Sequence, residues 1–336
     1  LPAMSTVYAA YEDALLVVDD VTDDPSARLS LEGYRPECVL ADESRLFVGT
    51  FDSGLLHSTD KGKSWETLQG IEEDAVMSLA VAPEDSQTLY AGTEPSAVYR
   101  SQDGGNHWQR LDGLTDLPSA DSWSFPPRPH THHVRWLEPA PGDPELLYAG
   151  IEAGALVRGY LDGSADGDAT VTWDDRVDGS RVDTHTITTH PDRPGHAWVA
   201  AGDGYAETDD WGDSWAQPQE GLNHTYCWSV AVDATDPDRV LMSAASGASS
   251  AHRSPGEAYL YRKLGDGWER LVTDLPTGEG ALRAVLRRGE SGGVFWAANN
   301  HGLFRTSDAG DSWQPLDIGW LERFEDQTCR GLAVVV

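Results

Sequence analysis

The chain carries 336 residues, of which 56 are Asp or Glu and 24 are Lys or Arg, for a formal net charge of −32. So acidic a surface repels phosphate backbones and anionic lipid, which argues against nucleic acid and membranes as partners; no run approaches the roughly 18 apolar residues of a membrane-spanning helix. The acids are spread evenly and 39% of residues are hydrophobic, which excludes a disordered acidic chain.

Lysine is confined to Lys61, Lys63 and Lys263, and arginine supplies the remaining positive charge. An acidic, lysine-poor globular surface is expected of a protein adapted to molar salt, where screening removes self-repulsion. Cys38, Cys227 and Cys329 lack any metal-ligand spacing and read as buried thiols of a reducing compartment. Residues 1–3 read as a cloning remnant ahead of a natural start at Met4, with no apolar leader. The expectation is a monomer in the high-salt cytoplasm of a halophile.

Taken in chain order, short apolar runs of one form recur at 7–10, 46–49, 89–92, 147–150, 197–200, 240–243 and 295–298, most with an aromatic second residue and all ending in Gly, Ala or Ser. Six of them follow an alternating strand, at 38–40, 76–81, 134–137, 184–187, 227–232 and 282–285. The first run has no such strand upstream, and residues 329–334 supply it from the far end of the chain. Between runs the octapeptide Ser/Thr-x-Asp-x-Gly-x-x-Trp occurs at 58–65, 101–108, 208–215 and 306–313, with decayed copies ending at Trp173 and Trp268.

In each octapeptide the Asp is placed to accept turn amides, the Gly permits positive φ and the Trp packs on a sheet. Asp60, Asp103, Asp210 and Asp308 are therefore structural, not catalytic. Strand-period alternation, Gly and Asp turns and the lack of an amphipathic helix specify an all-β chain. Seven four-stranded blades in one domain over 1–336, closed by the C-terminal strand, make a seven-bladed β-propeller.

The octapeptides resemble the Asp-box (BNR) repeats of a superfamily that includes sialidases, xyloglucan-cleaving glycosidases, the sortilin luminal domain and the photosystem II assembly factor. The resemblance covers almost the whole chain. It implies the propeller fold and, for function, either a glycosyl hydrolase-like enzyme or a pure binding protein. The chain differs from sialidases in having seven blades rather than six and in lacking their Arg-Ile-Pro motif near the start. In blade number and single-domain build it resembles the photosystem II assembly factor.

Propellers hold ligands over the central channel, so the residues delivered to that end are the candidates. Aligning the innermost strands puts Met77, Arg135, His185, Trp228, Arg283 and Arg330 at one repeat position, with His133 and Tyr226 just upstream. Loops after the second strands add Glu94, Glu152, Asn300 and His301. Three arginines at one position suit a clamp for a carboxylate, phosphate or sulfonate. The competing reading is that each pairs with a loop carboxylate such as Glu94 or Glu152 and simply closes the channel.

As a hydrolase or lyase for a small anionic or sugar-acid substrate, the chain would hold the anion with Arg135, Arg283 and Arg330, lined by Trp228, His133, Asn300 and His301. Glu94 and Glu152 would be acid and base, one of them buried with a raised pKa, and His185 or Tyr226 would move protons. As a scaffold, it would dock a protein through Trp123 and Phe125 of the proline-rich segment 117–133. His132, His133 and His185 are candidate ligands for a divalent metal, although histidines that bond a substrate or stack in a loop are commoner. His57, His107, His190 and His196 are assigned to the surface.

Salt adaptation makes a direct prediction. Raising KCl from about 0.1 M to about 2 M increases the thermal midpoint followed by circular dichroism; an unchanged or lowered midpoint contradicts it.

Overall fold

The computed structural model describes residues 5–21, 24–162 and 170–335, and their regular structure is almost entirely β. The expected start at Met4 and the remnant before it lie outside the described residues. Seven sheets follow one another along the chain and are arranged as a seven-bladed β-propeller. Two compact units divide the chain: Leu1–Val48 with His57–Trp65 and Pro218–Val336, and Gly49–Leu56 with Glu66–Gln217.

The first unit contains the sheet that joins the two ends of the chain. Gly331–Val335 pairs antiparallel with Thr6–Tyr11, and Ala14–Asp19 and Ser26–Ser30 follow outward. The same unit holds the sheet begun by Tyr226–Val232 and Val240–Ala245 and the sheet begun by Val285–Arg288 and Phe295–Asn299. The second unit holds the sheets led by Ala75–Ala82, Val134–Pro139 and Thr184–Thr189. The remaining sheet, Pro36–Ala41 through Glu66–Thr67, is the one the division runs through.

Two of these sheets depart from four strands. The one led by Thr184–Thr189 has three, its fourth reduced to a single bridge between Glu207 and Ala216. The one led by Tyr226–Val232 gains a fifth, because Gly278–Glu279 pairs with the start of Glu257–Leu264.

The apolar runs became second strands, and they are apolar throughout because both of their faces are covered. Thr6–Tyr11, Leu146–Ile151, Ala197–Ala201, Val240–Ala245 and Phe295–Asn299 are buried at every position. In the first unit Leu241, Leu260, Phe295, Phe304 and Trp313 form one core, and Tyr11, Leu16, Trp296, Phe324 and Leu332 belong to another. In the second, Leu147 and Val157 pack with Trp123, and Ile187 and Val199 with Trp211 and Trp215.

The glycine ending two of these runs marks a close approach between sheets. A Cβ on Gly92 would lie 2.4 Å from Ser78 Oγ and 2.6 Å from Val134 Cγ1, and one on Gly150 would lie 2.6 Å from Thr184 Cγ2. Ser78 Oγ donates to the Val134 carbonyl at 2.7 Å, tying one leading strand to the next.

The four octapeptide turns share one hydrogen-bond pattern. In the last, Thr306 Oγ1 donates to Asp308 Oδ1 at 2.7 Å and accepts from the Gly310 amide at 3.1 Å. Asp308 also accepts the Ser312 amide at 2.9 Å and the Ser312 hydroxyl at 2.5 Å. Gly310 has φ of 90°, which a side chain would strain. The Ser312 hydroxyl and then Thr306 hold the Asp308 carboxyl down at about 2.

Two sequence expectations change here. His190 is buried, not exposed; its Nδ1 accepts the Asp192 amide at 3.1 Å, which folds the ring under its own turn. Cys38 is half-buried, whereas Cys227 and Cys329 are buried, and all three are free thiols.

Because these aspartates titrate below their unfolded value of about 3.9, the stability they contribute is present above that pH and is lost as pH falls toward about 2. Asp308→Ala should cost about 1–2 kcal/mol in guanidinium unfolding at pH 7. The deficit should shrink below pH 3, and a pH-independent deficit contradicts the assignment.

Candidate functional site

The repeat position singled out in the sequence is a β-bulge. Val76 faces Thr93 and Ser78 faces Gly92, so Met77 is the extra residue of its strand. The same irregularity places Arg135 between Val134 and Trp136, His185 between Thr184 and Thr186, and Trp228 between Cys227 and Ser229. A bulge breaks the pleat alternation and re-aims a side chain. Arg330 keeps this register, preceding Gly331, which faces Ala10.

Arg283 does not keep it. Val285 faces Ala298, so Ala284 occupies the equivalent position and Arg283 lies one residue earlier. The strand begins at Val285 rather than at 282. The reason is the insertion around the short helix Ala248–His252, whose Ala251 carbonyl accepts the Arg283 amide at 3.1 Å.

In the second unit the structure assembles Glu94, His133, Arg135, Glu152 and His185, all candidates from the sequence, with Arg128 and Asp183, to which sequence reasoning assigned no role. Arg128 grips Glu94 with two bonds, Nε to Oε1 at 2.7 Å and Nη2 to Oε2 at 2.5 Å. His133, only 1% exposed, lies between two carboxylates: Nε2 is 2.9 Å from Glu152 Oε2 and Nδ1 is 3.3 Å from Glu94 Oε2. Arg135 Nε stands 3.8 Å from Glu152 Oε2. On the other side of the same carboxylate, His185 Nε2 is 3.8 Å from Oε1 and 3.6 Å from Asp183 Oδ1.

These contacts decide the charges. Burial alone would raise Glu94, but His133 and Arg128 outweigh it and bring the carboxyl down to about 2. Burial of Glu152 is likewise outweighed by His133, His185 and Arg135, which hold it well below the usual carboxylate range. Burial would lower His133, yet its bonds to Glu152 and Glu94 raise it. Asp183 moves the other way: burial lifts it, His185 opposes and the Glu152 charge adds. Glu94 and Glu152 are thus buried, as expected of an acid and base pair, but ionised, the reverse of a general acid.

In the first unit a relay connects Tyr226, His252 and Arg283. Arg283 is fully buried, its guanidinium 3.6 Å from the centre of the Trp228 ring. Its Nε donates to His252 Nδ1 at 3.2 Å and its Nη1 to the Cys329 carbonyl at 2.7 Å, next to Arg330. His252 Nε2 lies 3.0 Å from the Tyr226 hydroxyl, and both residues are partly exposed. Arg330, with a 32% exposed side chain, reaches Glu12 at 3.5 Å and Glu37 at 3.8 Å.

Asn300 and His301 hold backbone. The Asn300 side chain accepts the Leu282 amide and donates to the Gly280 and Glu325 carbonyls. His301 Nε2 sits 3.0 Å from the Gly280 carbonyl.

The proline-rich segment turns Trp123 inward and leaves Phe125 half-buried. Trp123 is 5% exposed, within the core, and donates to Ser119 Oγ at 3.0 Å. His132 stands edge-on to Trp123, and Phe125 edge-on to His133. The Arg128 guanidinium lies 4.7 Å from both the Phe125 and Phe51 rings. Of the expected docking pair, Trp123 is therefore a packing residue, because indole area gains more from burial than from display, while Phe125 stays half-buried. Sequence reasoning gave Arg128, Asp183 and His252 no role: Asp183 stands one residue before the repeat position, and Arg128 and His252 lie in long insertions where no repeat register says what they reach.

No protein-family model matches the sequence, and no curated protein does. Solved structures share the fold. A GH74 enzyme of Niastella koreensis matches 95% of this chain and 54% of its own, at 16% identity and a TM-score of 0.63. An ancestral GH74 enzyme matches 85% of this chain and 39% of its own, at 13% identity and a TM-score of 0.62. YCF48 bound to D1 peptide matches 83% of this chain and 81% of its own, at 15% identity and a TM-score of 0.56. The chain spans about half or less of the GH74 enzymes, and identities this low establish a shared propeller fold and nothing finer.

The Arg128–Glu94 pair should show coupling in a double-mutant cycle. Arg128→Met alone should cost about 2–3 kcal/mol, since it leaves a buried carboxylate without its main counter-charge. Adding Glu94→Gln should recover part of that loss. Additive costs in guanidinium unfolding contradict the pairing.

Proposed function

We propose that the chain is a binding propeller for a small anionic ligand, held where Tyr226, His252 and Arg283 meet Arg330. The observation that carries this is the direction of the relay. A guanidinium only donates, so His252 Nδ1 accepts from Arg283. A neutral His252 then carries its proton on Nε2 and donates it to the Tyr226 oxygen 3.0 Å away. The tyrosine's hydroxyl hydrogen then points away from the imidazole, on a partly exposed side chain, and at the relay's other end Arg283 bonds the carbonyl of Cys329, the residue before Arg330. Such a set suits a carboxylate, sulfate or phosphate, including that of a sugar acid.

Hydrolysis by the Glu94 and Glu152 pair has weaker support. GH74 enzymes share the fold, but both carboxyls are held ionised by Arg128 and His133, and a glycosidase needs one carboxyl that keeps its proton; of this cluster's carboxyls only Asp183 is shifted upward. The four turns support membership among Asp-box propellers, where binding proteins and hydrolases both occur. The charge of −32 supports a high-salt cytoplasmic setting and a monomer.

Thermal-shift and calorimetric titrations with sulfate, inorganic phosphate and galacturonate at constant ionic strength test the reading. At least one should raise the midpoint, and Tyr226→Phe should weaken its binding about tenfold, the loss of one hydrogen bond to a charged group. Arg330→Gln should weaken it comparably. No shift with any anion, or equal binding by wild type and both variants, contradicts it.

A further inference from the structure

Glu152 is bound on one side and faces a second set of donors on the other. Its Oε2 takes the His133 imidazole at 2.9 Å, with Arg135 at 3.8 Å. Its Oε1 faces His185 and Asp183. One donor atom from each of these three residues lies within 4.8 Å of the other two. His185 is fully buried and aims Nε2 between the two carboxylates, 3.8 Å from Glu152 Oε1 and 3.6 Å from Asp183 Oδ1. Both separations are too long for hydrogen bonds to those oxygens. They approach the spacing of about 3.4 Å between ligands that each stand about 2.1 Å from one tetrahedral ion.

We infer that Glu152, Asp183 and His185 bind a single divalent transition-metal ion, zinc or a first-row neighbour. One imidazole with two carboxylates suits zinc, cobalt or manganese better than calcium or magnesium, which favour oxygen alone. Three protein donors leave a position for water.

The surroundings match an outer shell. Ligating carboxylates are themselves hydrogen-bonded; here His133 holds Glu152, Glu94, itself gripped by Arg128, stands against His133, and the Ala153 amide donates to Asp183 Oδ1 at 2.8 Å. Arg135 and His133 put their charge on the Oε2 side, away from the proposed ion. Two carboxylates flanking one imidazole in a buried setting also favour a cation between them. Of the three histidines proposed from sequence, only His185 belongs to this set, since His133 is taken by carboxylates and His132 by Trp123.

The test is calorimetric titration of the full chain with ZnCl2 after EDTA treatment and dialysis, followed by Co2+, whose visible absorption reports a protein-bound ion. The expected result is one Zn2+ per chain, weakened about 30-fold or more by Asp183→Asn and by His185→Gln, and unchanged by His132→Gln. Asp183→Asn preserves shape, so it decides the question if His185→Gln fails to fold. Absence of zinc binding by wild type, undiminished binding by Asp183→Asn, or loss of binding in His132→Gln overturns the site. The anion site lies among other residues of the first unit and is tested separately.

Discussion

One extra residue near the start of a leading strand organises the polar chemistry of this molecule. A regular antiparallel strand sends alternate side chains to its two faces, and both faces of a blade's inner strands are packed with apolar groups. A charged residue in register would be forced into that packing. The bulge releases one side chain from the alternation, and the chain uses that release for Arg135, His185 and Trp228 in three sheets and for Met77 in a fourth. Just beyond it stand Ser78 and Ser229, whose hydroxyls bond to the Val134 carbonyl and the Leu286 amide of the next leading strand. The bulge therefore sets both where polar side chains emerge and how neighbouring sheets are tied.

Charge is handled differently inside and outside. The surface carries a large acidic excess, while the buried clusters are compensated. Glu94 has Arg128 and His133, and Glu152 has His133 with Arg135 and His185 nearby. Removing one partner from such a cluster leaves a buried charge exposed to a low dielectric, which costs more than the pair contributes net. Arg283 is held instead by an indole face, an imidazole nitrogen and a carbonyl. The two clusters thus differ in character, one built around ionised carboxylates and the other around a buried guanidinium.

The propeller was legible in the sequence because its signals are local and repeated. The octapeptide encodes a turn whose Ser or Thr and central Asp side chains bond within the same eight residues, and the apolar runs encode strands covered on both faces. The terminal strand was legible by counting, since one sheet lacked its leading member. Sites were less legible because they depend on loops. Arg128 reaches Glu94 across 34 positions and His252 reaches Arg283 across 31, distances at which no repeat register applies. The off-register place of Arg283 has the same origin, since the insertion around His252 pulls that strand's start away from its partner. Trp123 looked like part of a display surface because composition reports residue type and not direction.

The proposed anion site rests on the first-unit relay of Tyr226, His252 and Arg283 beside the Cys329 carbonyl and Arg330. A crystal structure from a bromide soak, read through the anomalous signal of the ion, tests it most directly. Bromide is expected against the Tyr226 hydroxyl and the Arg330 guanidinium, with Trp228 still standing outside the ladder between Cys227 and Ser229. Bromide found only elsewhere, with that place vacant, or a regular ladder through Trp228, would contradict it.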